Sequence, residues 1–364
     1  MRARRLTVVA IAAAFAGPLV LFSAQARADD TTQSSLESGH WAKPLTRVAP
    51  KYPKREAQKG VEGWVDVSFV ISPKGIVDEV IIDASSGREA FEKETLRSVR
   101  KWRYEPATLD GKPVEQCHTK VRIVYALEQR RLKRGARMRF KKEYAKASAF
   151  LEQGQLEKAT ATIDKIEQEH VTTLYESARV WMLRSMVNEK EGDALKQLSS
   201  LSRAASGSKI YIEPSIKIAV FSKILGLELD FKHYADALDT IERLAELDLD
   251  DGMAQKLDKL KIEIEATRVD ERVIAIDATI GEAREEHDNA GTWRHTLLRR
   301  TVGIEEISGS LERVELRCTW HRVKAKPEKG RAWRIPPEWG DCSIYVFGEP
   351  GSTFQLLEYS SAAS

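Results

Sequence analysis

The sequence predicts a multidomain α+β protein. A small strand–strand–helix–strand domain comes first, an all-α domain of helical repeats second, and a β-rich, sandwich-like domain last. Three observations carry this expectation. Residues 49–127 combine alternating apolar runs with one amphipathic helical stretch. Residues 128–267 hold almost no strand signals and one proline, Pro214. From Val273 onward, short strand-like runs recur between glycines. The 364 residues leave room for two or three domains. A composition of 42% hydrophobic and 31% charged residues buries cores and excludes wholesale disorder.

The chain starts with a positive segment, Arg2, Arg4 and Arg5, followed by Leu6 to Phe22 with no charge and only Thr7 as a polar side chain. Small residues then stand at the spacing a signal peptidase reads, Ala24-Gln25-Ala26 or Ala26-Arg27-Ala28. Residues 1–28 are therefore expected to be a cleaved signal peptide and the folded protein to be periplasmic. An uncleaved anchor in the inner membrane, facing the periplasm, is the alternative. Losing Arg2, Arg4, Arg5 and Arg27 lowers the net charge from +3 to −1, which argues against a nucleic-acid partner. The polar, aperiodic residues 29–48 read as a flexible leader.

In residues 49–128, Pro53 opens a helical turn that Gly60 closes. Val65, Val67, Phe69 and Ile71 lie on one face of a strand, with Asp66 and Ser68 on the other. Ser72-Pro73-Lys74-Gly75 forms a turn into a second strand, Ile76 to Asp83. Phe91, Thr95, Val99 and Trp102 recur at helical spacing, and a last strand alternates through Thr119, Val121, Ile123, Tyr125 and Leu127. Trp102 and Tyr104 read as core.

These residues also carry a resemblance. Pro50-Lys51-Tyr52-Pro53, Gly60 to Gly63, Ser72 to Gly75, Ser85-Ser86, Trp102 with Tyr104 to Ala107, and Gly111 to Val114 stand in an order that resembles the C-terminal domain of the TonB energy transducers. The resemblance implies a periplasmic, non-catalytic domain. Its last strand would accept an extended, TonB-box-like peptide of an outer-membrane or periplasmic partner in a Gram-negative cell envelope. The edge implied here comprises Thr119, Lys120, Val121, Arg122, Ile123, Tyr125 and Leu127. An unpaired strand offers a ladder of donors and acceptors. Lys120 and Arg122 either meet acidic groups on the partner or guard the edge against aggregation. Full transducers add a histidine-bearing membrane helix that engages the ExbB–ExbD motor, and a proline-rich spacer. Here no histidine lies between Leu6 and Phe22, and only Pro44 precedes Pro50 after the signal. The resemblance thus implies the docking module, while coupling to the ExbB–ExbD motor is not expected.

Residues 129–270 open with a basic run, Arg130, Arg131, Lys133, Arg134, Arg137, Arg139, Lys141 and Lys142, which reads as a solvated helix face. Gly154-Gln155-Leu156, Gly192-Asp193 and Lys232-His233-Tyr234 then recur at 38–40-residue spacing and resemble the corners of tetratricopeptide repeats. Stacked pairs of this kind present a concave surface for a second protein partner.

In residues 271–364, strands are expected over 274–280, 292–305, 311–323, 342–347 and 353–359. Trp293, Trp320, Trp333 and Trp339 read as core. In an oxidising compartment Cys318 with Cys342 is the economical disulfide, leaving Cys117 alone. No nucleophile elbow, phosphate loop or zinc-protease motif occurs, so no catalytic residue, cofactor or metal is expected. Glu285-Glu286-His287-Asp288 with His295 is the densest polar cluster, and it reads as a wet turn. The function expected is non-enzymatic capture of extended envelope peptides, in TonB-dependent transmembrane transport. The alternatives are a membrane-anchored energy-transducing component and a glycan-binding or enzymatic role for the C-terminal domain.

Overall fold

The computed structural model describes residues 8–11, 39–127, 135–206, 212–283 and 290–360. Most of the expected signal peptide, the leader up to 38, and Arg130, Arg131, Lys133 and Arg134 lie outside the described residues, as do Glu285 to Asp288. The architecture is mixed α+β. Among the described residues no helix is long and apolar enough to cross a membrane.

The first unit contains β1 (Val8–Ile11), β2 (Lys43–Thr46), α1 (Lys54–Lys59), β3 (Gly63–Ile71), β4 (Val77–Ser85), α2 (Glu89–Val99), β5 (Arg103–Glu105), β6 (Ala107–Leu109), β7 (Lys112–Val114) and β8 (Gln116–Tyr125). Its main sheet is antiparallel with strand order β1-β8-β3-β4. Val65 pairs with Ile123 and Val67 with Val121, so the apolar sides of both strands fall on one face. That face packs on α2 around Phe69, Phe91, Val99 and Trp102. Phe91 stacks on Tyr125 with ring centroids 4.3 Å apart, and Tyr52 meets both rings edge-on. Trp102 and Tyr104 are both buried. At Gly63 a side chain is excluded, because a Cβ would stand 2.6 Å from the Phe91 ring.

The opposite face of this sheet is also covered. Ile81 packs with Ala290, Tyr345 and Phe347 of the C-terminal unit. Ser68 donates to Asp83 (3.0 Å) and lies 3.4 Å from the Tyr345 hydroxyl. Alternation along β3 marks Ser68 as a position on the polar face, and the fold covers that position with another domain.

The middle contains α3 (Met138–Glu152), α4 (Leu156–Lys165), a π-helical turn at Ile166–His170, α5 (Leu174–Glu191), α6 (Ala194–Ser206), α7 (Pro214–Asp230), α8 (Tyr234–Ala245) and α9 (Asp251–Ala266). The three corner segments fall between α3 and α4, between α5 and α6, and between α7 and α8. Gly154, Gly192 and Lys232 take positive φ there. Within each of these pairs the helices are packed neighbours. A capping box at Thr173 and Glu176 starts α5.

The C-terminal unit contains β9 (Ile274–Thr279), β10 (Gly291–Thr296), β11 (Thr301–Ser308), β12 (Leu311–Cys318), β13 (Arg322–Ala325), β14 (Ala332–Arg334), β15 (Cys342–Gly348) and β16 (Thr353–Tyr359). Two four-stranded sheets result, ordered β10-β15-β12-β13 and β14-β11-β16-β9. One apolar cluster joins Val302, Ile304 and Leu356 of one sheet to Val314, Ile344 and Val346 of the other. It continues into Ile241, Leu244 and Ile264 of the helical region.

The strand expected over 292–305 is two strands in different sheets. The break at Leu297 to Arg300 is held by Arg299, whose buried guanidinium donates to the carbonyls of Thr267, Asp270, Arg272 and Glu358. The strand expected over 311–323 ends at Cys318, where a turn feeds β13. Trp333 is buried, while Trp293 and Trp339 pack at the margin of the apolar cluster. Trp320 lies partly exposed against Trp41, ring centroids 4.7 Å apart. Cys318 and Cys342, directly opposed on β12 and β15, form a disulfide.

Candidate functional site

The sheet edge implied by the sequence is the outer side of β8. Its inward side chains are structural, since Val121, Ile123 and Tyr125 are buried in the core. These residues offer only their main chain to the edge. Thr119 accepts a hydrogen bond from the Gln116 amide nitrogen at 2.8 Å, and Lys120 is exposed. Arg122 is engaged within the protein. It makes two 2.6 Å bonds to Asp66 across the ladder, donates to the Ser206 carbonyl, and stands 5.0 Å over the Trp64 ring.

Leu127 does not belong to the edge. The strand ends at Tyr125, and the Leu127 N–H donates to the Glu62 carboxylate at 3.2 Å. Glu62 also receives the Leu174 N–H, so one carboxylate ties the end of β8 to the start of α5.

The outer side of β8 already carries chain. Val8, Val9, Ala10 and Ile11 pair antiparallel with Tyr125, Val124, Ile123 and Arg122. At the other end, the Cys117 N–H donates to the Thr319 carbonyl at 3.2 Å. Between these contacts, among the described residues, no second strand pairs with Thr119 to Val121. Cys117 itself is buried. Burial and then the neighbouring Glu115 push its thiol up to about 12, which makes it inert at neutral pH.

A second polar site joins β4 to the C-terminal sheet, and no local sequence pattern announces it. Glu79 pairs with Arg317 (3.0 Å), Arg322 (2.7 Å) and Lys324. Arg317 also pairs with the buried Glu315 at 2.8 Å. Burial would raise the Glu79 carboxyl, but the Lys324 hydrogen bond and the two arginines bring it down to about 2. Beside it opens a cleft of about 500 Å³ lined by Val77, Asp78, Arg100, Arg313 and Phe347.

His295, grouped by sequence with Glu285 to Asp288, is buried on β10 beside His233, their ring centroids 5.1 Å apart. Burial, and then His295, push the His233 imidazole down to about 4.

Residues 48–127 match the family model described as the Gram-negative bacterial TonB protein C-terminal. The chain is 35% identical over 89 residues to protein TonB of Pseudomonas aeruginosa, covering 24% of this chain and 26% of that one. It is 41% identical over 80 residues to protein TonB of Escherichia coli, covering 22% of this chain and 31% of the other. Among solved structures, the TonB2 protein from Vibrio anguillarum aligns at 30% identity over 30% of this chain and 97% of that one, with a TM-score of 0.21. The chain thus spans about a quarter to a third of the length of these two curated relatives.

Proposed function

We propose that this chain is a non-enzymatic, TonB-like periplasmic protein of TonB-dependent transport, which captures extended peptide segments of envelope partners by strand addition to β8. The observation that carries this reading is the pairing of Val8–Ile11 with Arg122–Tyr125, because it supports an outer side of β8 able to accept an added antiparallel strand. The match of residues 48–127 to the TonB C-terminal family supports it. In the mature protein, cleavage near Asp29 removes Val8–Ile11 and leaves the main chain of Arg122–Tyr125 open. Each backbone hydrogen bond gains about 1 kcal/mol net, so a four-residue strand adds a few kcal/mol and exchanges readily. The paired helices α3–α8, read as tetratricopeptide-like repeats, would hold a second partner. The C-terminal strands would then form a sandwich-like support under the docking domain.

The test uses the chain's own segment. A synthetic peptide of residues 5–14 is titrated into protein beginning at Asp29 while backbone amide shifts are followed. Shifts concentrated at Thr119 to Tyr125, with at least tenfold weaker binding to protein that retains residues 1–28, are the expected result. Absence of shifts at this edge in the shortened protein overturns the reading. N-terminal mapping of protein from envelopes checks the premise, since a start at Met1 points to the anchored alternative.

A further inference from the structure

We infer that His233, Asp236 and His295 form a binding site for a divalent first-row transition-metal ion, held by one imidazole nitrogen of each histidine and one carboxylate oxygen of Asp236. The three ligand atoms lie within 4.8 Å of one another. They come from two elements brought together by the fold. His233 is the N-cap residue of α8 and Asp236 lies one turn on, while His295 reaches in from β10. A zinc ion with bonds of about 2.0–2.1 Å spaces its ligands by roughly 3.4 Å. Closing from 4.8 Å to that spacing calls for a rotation of the partly exposed His233 side chain.

The second observation is an orphaned atom. His295 is 2% exposed, and its Nε2 lies 2.9 Å from Glu358 Oε1. The other oxygen of Glu358 accepts from the Leu298 and Arg299 amides at 3.0 and 2.6 Å, which holds this group as a fixed acceptor. In the tautomer whose Nε2 donates to Glu358, Nδ1 presents its lone pair, and that atom is buried without a hydrogen-bond partner. A buried nitrogen in that state is costly unless something accepts its lone pair. A carboxylate holding the far nitrogen of a ligating histidine is the arrangement that orients the ring and raises its basicity, and Glu358 is the positioning residue here. Asp236 is oriented in the same way, with one oxygen accepting from Thr296 at 2.9 Å.

The donor set selects the ion. Two imidazoles and one carboxylate suit zinc or iron(II), and three protein ligands leave a coordination position open. Asp236, Asp239 and Glu358 bring carboxylates to this locus, with Arg294, Lys120, Arg243 and Arg299 as the cations around them.

Zinc titration of chelator-stripped full-length protein tests the site, with calorimetry, metal content after dialysis and thermal midpoint as readouts. One equivalent of zinc retained, with a raised midpoint, is the expected result. His233→Ala should lower affinity by more than about 100-fold and Glu358→Gln by about 10–100-fold. Asp236→Asn keeps the shape and the Thr296 contact, so its loss of zinc binding counts even if the alanine variant folds poorly. His321→Ala should change nothing. Substoichiometric zinc in the wild type, or uptake unaffected by both His233→Ala and Asp236→Asn, overturns the site.

Discussion

Glu228 is buried on α7, and burial pushes its carboxyl up to about 8 against a hydrogen bond from Thr240. The unfolded chain gives up this proton near the ordinary glutamate value of 4.5, while the folded protein keeps it until about 8. Stability contributed by this group is therefore full below 4.5 and is lost as pH rises through that window, by a few kcal/mol at most. Glu228→Gln should flatten the fall in thermal midpoint between about pH 5 and about pH 8. An unchanged slope would show that Glu228 ionises normally. At this scale the sequence showed which strand residues are apolar and alternate, and the structure buries Val65, Val121 and Ile123 among them in the core. The sequence left Arg122 with two open roles, because Asp66 and Trp64 lie more than fifty residues away along the chain.

Among the elements, β12 and β15 are joined by the Cys318–Cys342 disulfide, which closes a 24-residue separation. A loop of that size constrains the unfolded chain by about 3–4 kcal/mol. Cys318→Ser should cost that much in chemical denaturation. Thiol counting on denatured wild type should find one free thiol without reductant and three with it, and three in both samples would refute the pairing. Strand cores and helix corners were legible because they depend on period and on turn residues. The break at Leu297 to Arg300 was not, since four carbonyls from two other segments hold Arg299 there. Nor was the end of β8 two residues before Leu127, which depends on Glu62.

The whole molecule is tied together where β4 meets the C-terminal sheet. Arg317 bridges Glu79 and Glu315 across that junction and is almost wholly buried. Arg317→Ala removes one of three cations around the buried Glu315 and leaves Arg313 at 2.8 Å and Lys324 at 3.7 Å, so the cost falls below the roughly 3–5 kcal/mol of a fully broken buried pair. The expected result is a lower denaturation midpoint for the protein. Loss confined to the exposed-pair range of about 0–1 kcal/mol would mean that water already screens this contact. The two C-terminal sheets share one apolar cluster with α8 and α9.

The sequence by itself determined the order of the α and β segments, the buried faces, the corner positions and the resemblance of residues 49–127, because these depend on spacing within one element or one short domain. Tertiary structure alone decided that β8 carries a strand from Val8–Ile11, that Glu79 anchors a charge network, and that His233 and Asp236 stand beside His295. Those outcomes join groups some 60 to 240 residues apart, and chain periodicity carries no information about which distant surfaces meet.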